Sequence, residues 1–258
     1  MSPDALEGIL LIRKPSGLTS HDVVQVVRRK FNVRRVGHAG TLDPMAEGLL
    51  IVLIGRATKQ QQAYQAHEKT YEALLRLGTQ TDTADATGTV TRTAPIPIFE
   101  RQRLVEVLRS FEGDLAQRPP AYSAIKVHGR PAYWWARQHQ PVLLPERLVR
   151  VLELVLVQCD PETVCFRVRC SAGTYIRTLA EAIAERLGTA GHLQALIRLS
   201  VGCWTIEQAK PLQWIMDADP TMLAEQLLPV GHAAPQCSSH TSPSPVTISY
   251  ECRSGRAS

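Results

Sequence analysis

The sequence has no apolar run able to cross a bilayer: the longest, Gly8 to Ile12 and Gly48 to Gly55, fall far short of the ~20 residues a helical span needs. Nor does Met1 to Lys14 combine a basic start, a sustained apolar centre and a cleavage site, so a soluble, intracellular (cytoplasmic) protein with no membrane partner is expected. The six cysteines, at 159, 165, 170, 203, 237 and 252, form no Cys-x-x-Cys pair and no His/Cys cluster of zinc spacing. They read as reduced thiols. The eight histidines are scattered, without a His-Glu-x-x-His motif. Gly55-Arg56-Ala57-Thr58-Lys59 lacks the spaced glycines of a phosphate loop, and no Gly-x-Gly-x-x-Gly follows a strand. Neither a metal nor any other cofactor is implied. There is no internal repeat and no heptad, which leaves a monomer as the expected state.

What is present begins with core material. A chain of 258 residues that is 44% hydrophobic can fill one large domain or two smaller ones. A formal charge of +5 leans toward an anionic partner. Residues 8–13 read as a strand, and Thr19 with Asp22 forms a capping box ahead of the stripe Val23, Val24, Val26 and Val27. Leu49 to Ile54 has strand length, Ala57 to Ala66 looks helical, and Tyr71, Ala73, Leu75 and Leu77 alternate onto one face. Thr79 to Gly88, rich in Thr and Asp, is expected as a loop. Helices are expected over 101–111 and 174–187, and strands over 149–157 and 163–170. Strands interleaved with isolated helices, without a βαβ period, predict an α+β fold with a mixed sheet. Arg118 to Glu146, rich in Pro, aromatic and basic residues, reads as an inserted flap. From His232 onward the chain turns to Ser, Pro and Thr, and a disordered tail is expected over 232–258.

One loop carries the chemistry. Gly37-His38-Ala39-Gly40-Thr41-Leu42-Asp43-Pro44 holds an imidazole and a carboxylate between glycines, and Pro44 biases Asp43 toward an extended conformation. Arg28, Arg29, Lys30, Arg34 and Arg35 precede it, a cluster that reads either as a solvated helix end or as a surface for a polyanion. By pattern alone Tyr71 is an ordinary strand tyrosine and Leu196 an ordinary core residue. Arg177 could pair along its helix with Glu181. Tyr175 and Arg177 lie off the stripe formed by Ile176, Ala180, Ile183 and Leu187.

The run from Gly37 to Leu50 resembles the catalytic motif of the TruB family, the tRNA pseudouridine-55 synthases. Further stretches match in order: Lys69 to Ala73 with Leu77 to Gly88, Pro119 to Lys126 with Gly129, Gly173 to Ala180, and more weakly Leu196 to Arg198. The resemblance covers about residues 8–200. It implies the pseudouridine synthase fold, mainly antiparallel, with residues 1–231 as the catalytic domain and the flap contacting RNA. It also implies isomerisation of uridine 55 in the T loop of tRNA, with tRNA, through its T arm, as partner. Asp43 would be the nucleophile and Arg177 the group that orients it and holds its pKa down. Tyr71, Tyr175 and Leu196 would form the base pocket, and His38 would fill the space left by a flipped uridine. Lys126, Gly129 and the basic cluster would meet phosphates. Bacterial members generally add a C-terminal RNA-binding domain of PUA type, whereas only 29 residues follow Pro229 here, too few for one. A non-catalytic tRNA-binding or folding module is the alternative, and it would need no Asp43. A metal-dependent nuclease would have only the weak pair Asp82 and Asp85.

Overall fold

The computed structural model describes residues 6–140 and 142–229; the tail expected over 232–258, with Cys237 and Cys252, lies outside the described residues. In chain order the strands are β1 (Gly8–Lys14), β2 (Val36–His38), β3 (Glu47–Ile54), β4 (Lys69–Leu77), β5 (Thr79–Thr81), β6 (Val90–Thr93) and β7 (Gly113–Gln117). They continue as β8 (Lys126–Val127), β9 (Arg130–Pro131), β10 (Arg147–Asp160), β11 (Thr163–Cys170), β12 (Gly191–Val201), β13 (Trp204–Thr205) and β14 (Lys210–Pro211). The helices are α1 (Ser20–Lys30), α2 (Gln61–Gln65), α3 (Arg101–Arg109), α4 (Ala132–Arg137), α5 (Ile176–Arg186), α6 (Leu212–Asp217) and α7 (Pro220–Gln226).

The main sheet runs β14-β1-β3-β12-β4-β11-β10-β7, with β2 added beside β3 and β13 beside β12. It is mixed and mostly antiparallel; only β1 with β14 and β3 with β12 pair in parallel. The fold is therefore the expected α+β arrangement. β3 is buried on both faces, as its continuous apolar run requires. Leu50, Val52 and Ile54 meet α1, α6 and α7, while Leu49, Ile51 and Leu53 meet Tyr64, Ile197, Leu199 and Trp204. Along β4 the alternation holds: Tyr71, Ala73, Leu75 and Leu77 face a core built with α3 and α5. α1 starts at the expected capping box, in which Thr19 Oγ1 accepts from the Asp22 N–H at 3.0 Å and Asp22 accepts from the Thr19 N–H at 2.8 Å.

Two expectations need correction. Thr79 to Gly88 is not wholly loop, because Thr79–Thr81 pairs with β6 as a short hairpin. β12, which the sequence pattern did not disclose, lies at the centre of the sheet between β3 and β4. Its alternation is broken by register shifts at Leu193/Ala195 and Arg198/Ser200, so neither a period of two nor of 3.6 survives in the sequence.

This topology sets the loop in place. β2 and β12 share one edge of β3, with β2 beside Val52 to Ile54 and β12 beside Glu47 and Gly48. Residues 39–46 connect β2 to β3, so the loop emerges where one neighbour gives way to the other.

Candidate active site

The loop is held by groups to which the sequence pattern gives no role. Leu42 donates its N–H to Ser20 Oγ at 2.8 Å, and that hydroxyl donates back to the Leu42 carbonyl at 3.1 Å. Lys14 Nζ donates to the carbonyls of Pro15, Leu18 and Pro44 at 2.8, 2.6 and 3.2 Å. Burial lowers its pKa to about 8. Arg198 is 0% exposed, and it donates to the carbonyls of Leu49, Gly40 and Thr41 at 2.7, 3.0 and 3.4 Å. One guanidinium thus ties both flanks of Asp43 to β12, where Arg198 stands opposite Tyr71 of β4. Gly48 explains why β12 comes so close: a Cβ there would lie 2.3 Å from the Arg198 carbonyl oxygen, and its φ is +107°.

Asp43 and Arg177 meet across the molecule. Arg177 Nε lies 2.9 Å from Asp43 Oδ2, as an ion pair whose N–H is not aimed along that line, and Nη2 donates to Oδ1 at 3.3 Å. The Arg177 side chain is only 4% exposed; that of Asp43 keeps 34%. The guanidinium also donates to the carbonyls of Thr83 and Tyr122 at 2.8 and 2.9 Å. The helix pairing with Glu181 is not the one made, since Glu181 accepts from Gln80 at 3.0 Å instead.

A second carboxylate, Asp85, completes the arrangement. Its Oδ2 lies 3.7 Å from Arg177 Nη1, while Oδ1 accepts from the Thr83 and Thr87 hydroxyls and the Thr87 N–H at 2.8, 2.6 and 2.9 Å. The threonines of the segment expected as a loop supply this carboxylate's donors.

The charge balance differs from the expectation. Burial raises the pKa of Asp43, Arg177 opposes that rise, and the like charge of Asp85 adds to it; the net direction is upward. Arg177 therefore moderates the carboxyl rather than holding it below its ordinary value. The one-third exposure of Asp43 keeps water in reach and limits the rise.

The other residues implied by the resemblance surround this pair unevenly. Tyr71 and Leu196 are buried in the same core cluster as Leu42 and Ala46 of the loop. Tyr175 forms the start of α5, two residues before Arg177. His38 lies on β2, half-buried, and its Nδ1 has no hydrogen-bond partner among the described residues. Burial, then Arg198, then His21 lower its pKa, so the ring is held toward its neutral form. Lys126 is exposed on a hairpin whose turn uses His128 and Gly129 at φ +50° and +78°. The basic cluster divides. Arg28 donates to the Val36 carbonyl at 3.0 Å and Lys30 to the Met216 carbonyl at 2.6 Å, whereas Arg29, Arg34 and Arg35 are exposed. A cleft of about 370 Å³ bounded by Lys14, Glu47, Leu212 and Met216 contains none of these site residues.

The family model described as "TruB family pseudouridylate synthase (N terminal domain)" matches residues 28–176. The chain belongs to the TruB family. Relatives agree along nearly its whole length. It is 44% identical over 230 residues to tRNA pseudouridine synthase B of Opitutus terrae, covering 89% of this chain and 95% of that one. It is 45% identical over 225 residues to tRNA pseudouridine synthase B of Burkholderia lata, covering 87% and 70%. Among solved structures it resembles the crystal structure of a Cbf5-Nop10-Gar1 complex, with 28% identity and a TM-score of 0.67 over 86% of this chain and 60% of that chain. This TruB-family chain thus spans about three fifths of that solved chain. Membership makes it a pseudouridylate synthase, an isomerase. Among the described residues, no helix is long and apolar enough to cross a membrane.

Proposed function

We propose that the protein converts uridine 55 in the T loop of tRNA to pseudouridine, with residues 1–231 as its catalytic domain. The reaction breaks the bond from base N1 to the sugar, turns the base and rejoins it through C5, which releases the C5 hydrogen. It needs a nucleophile that can leave again, and Asp43 is that group. The observation that carries the reading is the Asp43–Arg177 contact at 2.9 Å, in which a nearly buried cation orients a carboxylate that remains reachable. Arg177 keeps enough of the carboxylate ionised against the opposing push of burial. Stacked in its loop, the uridine cannot reach Asp43 and must flip out. Tyr71, Tyr175 and Leu196 then bound the base, and neutral His38, with its unpartnered Nδ1, occupies the vacated place. Lys126, the turn at Gly129, and exposed Arg29, Arg34 and Arg35 meet phosphates of the T arm. A cytoplasmic monomer fits this work.

The test uses tRNA carrying tritium at C5 of its uridines. Wild-type protein should release the label and leave pseudouridine only at position 55, while the Asp43→Asn variant should bind the tRNA and release none. Equal release by both proteins, or pseudouridine formed elsewhere, would overturn the proposal.

A further inference from the structure

Gln117 ends β7, and the flap begins at the next residue. It is a buried polar residue, 4% exposed, and its side-chain amide bonds twice to a single residue. Oε1 accepts from the Tyr175 N–H at 2.7 Å, and Nε2 donates to the Tyr175 carbonyl at 3.0 Å. A primary amide presents one acceptor and two donors, so it can satisfy a backbone N–H and C=O much as a neighbouring strand does. Tyr175 is the N-cap of α5, and no side-chain hydrogen bond from the cap residue itself closes that helix end. Gln117 supplies an outside anchor there instead.

The same turn of α5 bonds to the flap at two further points. Arg177 donates to the Tyr122 carbonyl at 2.9 Å, and Thr178 to the Arg118 carbonyl at 3.5 Å. An exposed ion pair at 3.0 Å, Arg118 to Glu146, closes the two ends of the flap on each other. The flap's root and the turn that presents Tyr175 and Arg177 are therefore one bonded unit, with Gln117 as a buried tie within it.

We infer that Gln117 is a positioning residue for pseudouridine formation: its amide fixes the backbone of Tyr175 to the root of the flap and so sets Tyr175 and Arg177 against Asp43. This rests on the roles given above to Asp43, Tyr175 and Arg177. Gln117 touches neither the base nor Asp43, so its loss should slow the chemical step more than it weakens binding. Misplacing a reacting group by about 1 Å can cost on the order of a hundredfold in rate.

The Gln117→Glu and Gln117→Leu variants test this. The Glu variant keeps the acceptor for the Tyr175 N–H but sets a carboxylate oxygen against the Tyr175 carbonyl; protonation restores a donor. The Leu variant has neither group at any pH. Single-turnover tritium release, normalised to wild type at each pH between about 6 and 8.5, is measured with tRNA affinity and thermal unfolding, and Asp43→Asn serves as control. At the alkaline end both variants should react about 10- to 100-fold more slowly, with affinity within about threefold of wild type. On acidification the Glu variant should recover several-fold and the Leu variant should not, a difference that loss of folded protein would not give if both unfold well above the assay temperature. A wild-type rate for the Glu variant throughout, a rate loss matched by weaker binding, or identical pH dependence in the two variants would overturn the inference. Release by Asp43→Asn at the wild-type rate would instead sink the site reading beneath it.

Discussion

Arg177 Nη1 lies 3.7 Å from Asp85 Oδ2, on a guanidinium whose Nε is 2.9 Å from Asp43, so one buried cation serves two carboxylates. The two acids differ in what else they meet. Asp85 is saturated by threonine donors, whereas Asp43 keeps a third of its surface open. Asp85 fixes the cation, and the cation orients Asp43.

Opposite pH shifts should follow from altering the two partners. The rate needs ionised Asp43, so its acid limb follows that carboxyl. Asp85 raises the Asp43 pKa and Arg177 lowers it. Asp85→Asn should therefore move the acid limb to lower pH and Arg177→Met to higher pH, each with a plateau loss of about 10-fold or more from disturbed geometry. Rates of tritium release across the acid range check both signs; shifts in one common direction would contradict the shared-cation arrangement.

Asp43 should also weaken the fold at neutral pH. Its folded pKa is raised, so the stabilisation from binding a proton is complete below the unfolded value of 3.8 and is lost as pH rises through the folded value. Asp43→Asn does not titrate, and its thermal midpoint relative to wild type should climb between about pH 4 and pH 7. A flat or falling difference would show that Arg177 outweighs burial.

At alkaline pH the lysines should dominate first. Lys14 and Lys69 have folded pKa values near 8 against an ordinary 10.5, so above about 8 the unfolded chain binds protons that the folded chain lacks. Stability then rises with pH, by up to about 1.4 kcal/mol per unit for each group. Buried Cys165 and Cys170, pushed up to about 12 and 11 from 9.0, oppose this above pH 9 by keeping protons that the unfolded chain has lost. Urea unfolding should show a rise between about pH 8 and 9 that then levels off. Replacing both cysteines with alanine should extend it.

Gly48 and Gly173 offer a matched pair. Both have positive φ, but a Cβ at Gly173 meets nothing within 4 Å, while one at Gly48 runs into the Arg198 backbone. Gly173→Ala should cost only the ~1–2 kcal/mol of the backbone conformation. Gly48→Ala should cost several kcal/mol more and leave little folded protein, as judged by soluble yield and thermal unfolding.

The basic cluster should separate in salt. Arg34→Ala and Arg35→Ala should each reduce the slope of log affinity for tRNA against log salt by about 0.7–0.9 without lowering the unfolding temperature. Arg28→Ala should lower that temperature, since its guanidinium bonds the Val36 carbonyl.

Much of the site was legible because its signals are local. A glycine-bounded Asp-Pro, a period-two strand containing Tyr71 and the stripe of α5 each lie within about a dozen residues. What stayed hidden depends on tertiary contact. Asp85 read only as half of a weak pair with Asp82 in a loop, whereas Arg177 and three donors close around it in the fold. Arg198 was a weak motif end, and burial gave it the whole loop to hold. Lys14 lay just past the segment read as a strand and Ser20 at a helix start, where nothing in the pattern points at a carbonyl thirty residues from Lys14. The direction of the Asp43 shift was also beyond the sequence, because it depends on how much water Arg177 and its surroundings displace.

The place of β12 has a consequence for how the chain is made. β3 and β4 follow one another in sequence but do not pair; β12, completed only at residue 201, lies between them. Until it arrives, the two sides of the sheet lack their central seam, and the loop carrying Asp43 lacks Arg198. On a ribosome the N-terminal strands must therefore wait, edges unpaired, while more than a hundred further residues are synthesised. The molecule becomes competent late and all at once, and its exposure to misassembly is greatest just before that strand is threaded.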